Sequence, residues 1–453
     1  YQPVYNDQKS KTDLSTGFFY YNNNLSDSSL VQKRSQDNFK MEHNTFISYT
    51  EPWTKKFKTE LSYNFSQNHN GTNRQTYDII TGGDILNPAM SNNFDNLRII
   101  NRAGAKLIYD VKKYRVTIGT NVRNIMQRNI NLTTDERLAY TFNNILPNAS
   151  FQYRINQGSN FSLQYNSSSQ QPDLRQMQPV VDNTDPNRIS YGNPDLQPTF
   201  SNHANLNYYF YKGVSDINFW SGFNATNTNN QISYATEFDS LGRAVTRPIN
   251  VDGNYYGSIY MGGGFPAFKR FMKVYINFNS SHSNNVSFVN GVKNVAQNTS
   301  YGPGLTLEKD AEKFAVSLEG NYDYNIPKTN LSVSSQQPYY TYKINGSVMV
   351  KFPKKFSLTA EGNYVNNGNR TPGYNLNYFI LNGAINKSFF KTEDVVVSLM
   401  ANDILNQNIS NERFIEANRI VDTKTQIIRR YFLLRVLWKF NSQKQTPDED
   451  DDY

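Results

Sequence analysis

Apolar and polar residues alternate with a period of two through most of this chain, and that restricts it to β-structure. In residues 57–66, Phe57, Thr59, Leu61, Tyr63 and Phe65 form one set, and Lys58, Glu60, Ser62, Asn64 and Ser66 the other. In 114–123, Tyr114, Val116, Ile118, Thr120 and Val122 stand against Arg115, Thr117, Gly119, Asn121 and Arg123. In 314–324, Phe314, Val316, Leu318, Gly320, Tyr322 and Tyr324 stand against Ala315, Ser317, Glu319, Asn321 and Asp323. Segments 161–166, 340–352 and 356–364 repeat the pattern. No segment carries a 3.6-residue apolar stripe over three helical turns. The chain is predicted to be all-β.

The connections add a second constraint. Short ones (EPWTKK, DVKK, INQGS, YKGVSD, PAFKR, EKDAEK, PKK, KSFFKTED) alternate with mostly long ones near 67–96, 124–141, 167–199, 230–250, 281–298, 325–338, 367–375 and 403–423. The long ones are rich in Asn, Gly, Ser and Asp. The spacing predicts about eighteen strands of roughly ten residues, with 15–22 and 232–250 ambiguous. A soluble sandwich also alternates, but it has no need to put its short turns at one end. A propeller needs a repeat of roughly 40–50 residues with a blade signature, and none recurs. A transmembrane barrel has short turns on one side of the membrane and longer loops on the other.

The last strand, YFLLRVLWKF at 431–440, shows what the alternation is for. Phe432, Leu434, Val436, Trp438 and Phe440 are all apolar, whereas the other set includes Arg435 and Lys439. Hydrocarbon offers a strand no backbone partner, so strands span it only as a closed barrel. The apolar set then faces lipid and the cations face the lumen. The expected fold is a transmembrane antiparallel up-and-down β-barrel over 1–440. An acidic tail follows over 441–453, with five acids from Asp448 to Asp452, expected to be periplasmic and disordered.

Composition fits that reading and removes others. Only 37% of residues are hydrophobic, yet 14% are aromatic, which is unlike a disordered chain. The formal charge of +8 comes from scattered lysine pairs, not a continuous basic stripe, so nucleic acid is not an expected partner. Cysteine is absent, which excludes disulfides and thiolate chemistry. His43, His69, His203 and His282 lie far apart, with no metal-ligand spacing. Asp182, Asp185 and Asp403 are oxygen donors suited to Ca²⁺, but solvated loop acids are commoner. No catalytic, cofactor or metal site is assigned, and the chain is not read as an enzyme. The largest loops, 77–96 and 170–199, are the expected seat of ligand specificity.

Segment 145–210 resembles the barrel of TonB-dependent receptors, and more narrowly the outer-membrane β-barrel family of Bacteroidota. The resemblance is carried by QPDLRQMQPVVDNTDPNRISYGNPDLQPTFSN at 171–202, RPINVDGNYYGSIYMGGGFP at 247–266 and ANDILNQNIS at 401–410. The most specific block is 192–198. There Gly192 and Asn193 tolerate positive φ, and Pro194 and Pro198 fix the chain as it enters a strand near Phe200. The resemblance implies import of a scarce nutrient (chelate, glycan or peptide) across the bacterial outer membrane. It also implies a 22-strand barrel filled by a plug domain and driven through TonB. No plug or TonB-contacting box occurs before residue 15, so this reading requires a plug encoded upstream and makes the chain a C-terminal portion of a 22-strand barrel, the alternative being a smaller barrel of about eighteen strands that closes by itself. The alternatives are a scaffold that assembles with surface lipoproteins or other outer-membrane subunits, and a plugless diffusion porin. No cofactor is implied.

Overall fold

The computed structural model describes residues 2–440, apart from 19–27, 81–82, 89–90, 134, 178–181, 186–187, 241, 332–336, 370–374, 409–410, 417–418 and 425–426. The acidic tail at 441–453 lies outside the described residues. Eighteen strands form one meander: β1 (Gln2–Phe18), β2 (Ser28–Pro52), β3 (Phe57–Ile80), β4 (Asn92–Asp110), β5 (Tyr114–Asn131) and β6 (Glu136–Asn156) come first. Then follow β7 (Ser159–Gln170), β8 (Thr199–Lys212), β9 (Ile217–Asn229), β10 (Asn254–Ala267), β11 (Met272–Val289) and β12 (Val292–Asp310). The last six are β13 (Phe314–Thr329), β14 (Tyr339–Phe352), β15 (Phe356–Gly368), β16 (Leu376–Phe389), β17 (Val395–Asn402) and β18 (Tyr431–Trp438). Each pairs antiparallel with its chain neighbours, from β1 with β2 through to β17 with β18. Among the described residues β1 pairs only with β2, and β18 only with β17. No described helix is long and apolar enough to cross a membrane.

The wall is inside out relative to a water-soluble sheet. Leu61, Ile118 and Val122 are 52%, 60% and 51% exposed, while their polar neighbours Ser62, Thr117 and Asn121 are more covered. Register aligns these apolar residues across strands. Leu358 lies opposite Ile385, Ile385 opposite Leu399, and Leu399 opposite Leu434. A second row runs Phe151, Leu163, Leu206, Phe223, Ile259 over β6 to β10. A contiguous apolar surface of this extent is unstable in water and matched to hydrocarbon. On β18 the predicted lipid set, Phe432, Leu434, Val436 and Trp438, is 61–71% exposed, against 39–47% for Tyr431, Leu433 and Leu437.

Aromatic rings border the belt at both ends. Towards the short turns, Tyr109 lies near Tyr114 and Trp438 stacks on Phe440 at 4.5 Å, while Lys387 sits 4.3 Å over Phe356. Towards the long connections, Tyr322, Tyr324, Tyr340 and Tyr342 cluster with ring separations of 4.9–6.4 Å. Eight residues separate Phe314 from Tyr322 along β13, or about 26 Å of strand, which suits one tilted crossing.

The long connections are shorter than their sequence suggests, because strands continue beyond the apolar belt. The segment expected as loop 281–298 is the end of β11, a two-residue turn at Asn290 and Gly291 (φ 48° and 75°), and the start of β12. Segment 124–141 is likewise mostly strand, and β3 runs on to Ile80. Beyond the belt these strands are mostly polar on both faces, with scattered buried apolar residues such as Ile125, Val286 and Val289, so regular alternation is lost while the backbone ladder persists. Of the two ambiguous regions, 232–250 resolves, and 15–22 does so only to residue 18, since 19–22 lie outside the described residues. The first strand is Gln2–Phe18, and 232–250 is a hairpin of Gln231–Phe238 and Ala244–Val251.

Candidate functional site

The set opposite the apolar belt lines the concave face. On β3 to β6 the inward positions carry carboxamides, hydroxyls and charge. Glu60, Asn64, Arg102, Lys106, Asn121 and Asn148 contribute to a cavity of about 530 Å³ there. Register explains the assembly. Lys106 is opposite Glu60, Arg102 opposite Asn64, and Arg123 opposite Arg102. Lys106 Nζ donates to Glu60 Oε1 at 2.7 Å. Arg123 donates to Asn144 Oδ1 at 3.4 Å and to the backbone carbonyl of Ser169. Two glycines make room for neighbouring side chains at this point. A Cβ on Gly104 would lie 2.6 Å from both Ser62 Oγ and Asn121 Oδ1, and one on Gly119 would lie 2.7 Å from Lys106 Cγ. Neither has positive φ, so glycine supplies space here, not backbone freedom.

The long-connection end is braced. Asn250 Nδ2 donates to the carbonyls of Gln197 (2.9 Å) and Asn230 (2.8 Å), while its Oδ1 accepts from Gln197 N–H at 2.7 Å. Asn193 Nδ2 donates to the Pro248 carbonyl at 2.9 Å, and Tyr191 N–H to the Thr246 carbonyl at 3.0 Å. The GNPDLQP block and the RPINV stretch, some fifty residues apart, are thus clamped together. Strand Arg188–Ser190 adds a parallel pairing to Ala244–Thr246. Asn290 N–H donates to the Thr236 carbonyl at 2.9 Å, and Asn290 Oδ1 accepts from Phe238 N–H at 3.1 Å, so the hairpin joining β11 to β12 is held as well. Ile125, Leu146, Met177 and Leu196 are the largest fully buried apolar side chains, two from the wall and two from connection 171–198. Neither Gly192 nor Asn193 takes positive φ. Asn193 acts through its carboxamide, and strand β8 starts at Thr199, as the block's prolines imply.

The residues weighed from sequence do not form one site. Asp403, at 3% exposure, accepts backbone N–H groups of Gln407 (2.9 Å) and Asn408 (3.1 Å). Its carboxylate closes the turn after β17 and is buried, not a solvated loop acid. The side chains of Asp182 and Asp185 lie outside the described residues. His69 bonds Asp95 at 2.7 Å, His203 meets Ser168 and Thr226, and His282 meets Thr299. Each sits in its own neighbourhood, and the described residues contain no group of three or more His, Asp or Glu able to hold a metal. In loop 77–96, Asp78 accepts from Gln32 Nε2 (2.7 Å) and Asn87 Nδ2 (2.8 Å), which fixes the loop's base. The clamp at Asn250 and the cavity behind Gly104 were not singled out from sequence. The only signals for them are the inward glycines and the spacing of Arg98, Arg102 and Lys106 at four-residue intervals on one face.

Comparison with known proteins places this architecture. The outer membrane protein beta-barrel family matches residues 1–291 and 283–438. No curated protein matches the chain. Among solved structures, a chain of the FpvAI–pyocin S2 complex is similar at TM-score 0.52 and 9% identity, covering 96% of this chain and 52% of that one. The ferric citrate transporter FecA in the unliganded form is similar at TM-score 0.49 and 10% identity over 96% and 59%. The copper transporter OprC gives 0.45 and 9% over 96% and 80%. The chain therefore spans little more than half the length of two of these three. At such identities the likeness is one of fold.

Proposed function

The chain belongs to the outer membrane protein β-barrel family, and on that premise we propose that it is the wall of a TonB-dependent-receptor-type importer for a scarce nutrient. It is a barrel of the bacterial outer membrane. The import reading rests on the receptor resemblance of 145–210. One structural observation supports it further: a polar concave face beneath a braced set of long connections. A solute crossing lipid needs a lumen lined by hydrogen-bonding groups, and selection needs a fixed rim. The carboxamide-rich inner face supplies the first and the clamped 188–198 and 244–251 segments the second. A plug domain encoded upstream completes the machine, and TonB is its energy-coupling partner.

The test is made on the full-length gene product. Purified from outer membranes, it is expected to carry a globular domain ahead of Tyr1 and to crosslink to TonB in vivo. Its deletion is expected to remove growth on one limiting nutrient. A product that begins at the barrel and conducts ions in a planar bilayer makes the chain a porin instead. A product that co-purifies with surface lipoproteins in fixed ratio, without TonB contact or growth phenotype, makes it a scaffold.

A further inference from the structure

We infer that the cavity behind Gly104 is a carboxylate-binding site in the lumen, with Arg102 as its anchor and neighbouring carboxamides for the hydroxylated body of the ligand. The inference rests on the barrel having a lumen and not on import. Charge carries it first. Arg102 and Arg123 lie directly opposite one another on the concave face, and like charges in that position destabilise a sheet. Arg98 follows on the same face, opposite Gln127. No ion pair of the described residues involves Arg98, Arg102 or Arg123.

The described acids on this face of β2 to β4 are already committed. Glu60 pairs with Lys106 at 2.7 Å, Glu42 with Lys40 at 2.8 Å, and Asp110 with Arg115 at 3.3 Å. Asp78 accepts from Gln32 and Asn87. Arg123 is held by two neutral oxygens, and its Nε is buried without a partner. The wall therefore carries a surplus of guanidinium charge.

Shape carries it next. Gly104 and Gly119 let the lining side chains lie close against the wall: Ser62 and Asn121 occupy the place of a Gly104 Cβ, and Lys106 that of a Gly119 Cβ. The cavity of about 530 Å³ is the size of a small-solute site. Asn121, Asn148 and Asn166 line it with side chains that make no hydrogen bond to the described residues. A planar guanidinium grips a carboxylate through two parallel N–H donations, and carboxamides both donate to and accept from hydroxyls. Together they recognise a carboxylate on a hydroxyl-rich body. An acidic side chain of a polypeptide entering the lumen offers the same carboxylate.

The experiment uses the full chain, refolded in detergent, with D-glucuronate as probe and D-glucose as its neutral match. Calorimetry is expected to show glucuronate binding that weakens with added salt, and glucose binding at least about ten-fold weaker. Arg102→Gln is expected to lose on the order of ten- to a hundred-fold in glucuronate affinity, as for loss of a charged hydrogen-bonding partner. Gly104→Leu is expected to remove binding by occupancy, with the arginines untouched. Heat-modifiable migration of both variants checks that the barrel is intact. A glutamate-rich peptide is the second arm. If it binds, glucuronate does not, and Arg102→Gln removes the binding, the carboxylate comes from a polypeptide and the site stands. Equal binding of glucuronate and glucose, failure of both anions, or an intact Arg102→Gln barrel with unchanged affinity overturns the site. None of these outcomes bears on whether the full protein imports.

Discussion

At the residue scale, one side chain's direction decides whether it meets lipid or the lumen. Leu399 has an apolar partner on each side, Ile385 and Leu434, and is 56% exposed. Leu399→Arg is expected to destabilise the folded barrel by about 2–4 kcal/mol if it lies near the bilayer midplane. Arg435→Ala, on the opposite face of β18, is expected to cost less. Urea unfolding in lipid vesicles reads both, and a larger loss at Arg435 would invert the two faces. Asn250 bears on a different quantity, since it holds three backbone groups of the loop clamp. Each such bond is worth roughly 0.5–1.5 kcal/mol net. Asn250→Ala is therefore expected to speed proteolysis within 188–198 and 244–251 while leaving heat-modifiable migration unchanged. Equal protease resistance in the variant would mean that the clamp does not brace the rim.

At the element scale, the hairpin between β11 and β12 turns on Asn290 and Gly291, both at positive φ. That geometry matches the right-handed twist of the flanking strands and favours Asn-Gly. Gly291→Val places a β-branched residue at φ 75° and is expected to fray the hairpin tip. Hydrogen exchange at 286–295 should rise, with no change over the apolar belt. The last strand has a different role. β18 completes the ladder on β17 through eight residue pairs. Without it, the backbone groups of β17 would face hydrocarbon at several kcal/mol each. Ending the chain at residue 430 is expected to abolish membrane insertion, whereas ending it at 440 is not. A heat-resistant, inserted product ending at residue 430 would show that β18 is dispensable.

At the scale of the whole molecule, the alternation of short and long connections sets the orientation. On the geometry of outer-membrane barrels, Lys55–Lys56 and Lys354–Lys355 are expected at periplasmic turns, and 77–96 and 170–199 on the outside. The chain has no cysteine, so single introduced cysteines report cleanly. A membrane-impermeant maleimide applied to intact cells should label Asp84→Cys and Asp195→Cys and miss Lys55→Cys and Lys354→Cys. Labelling at the lysine turns would reverse the topology.

Much of this was legible in the residues. Alternation is local, so Leu61 against Ser62 or Leu434 against Arg435 reveals a two-faced strand without a partner in view. Strand number follows from turn spacing, and the prolines at 194 and 198 mark an entry into β8. The longer reach of the strands was hidden, because beyond the belt apolar residues such as Ile125, Val286 and Val289 are too scattered to alternate regularly. What only the tertiary structure decided depends on register. Whether Arg102 meets Arg123 or an acid, and whether Asn250 reaches Gln197, is set by how strands and connections distant in sequence are offset. A slip of one residue would turn every inward side chain to the lipid face. The sequence by itself determined that the wall has a lipid face and a lumen face, since a period of two is a property of each strand alone. The cavity behind Gly104 and the clamped rim exist only once eighteen strands are held in one alignment.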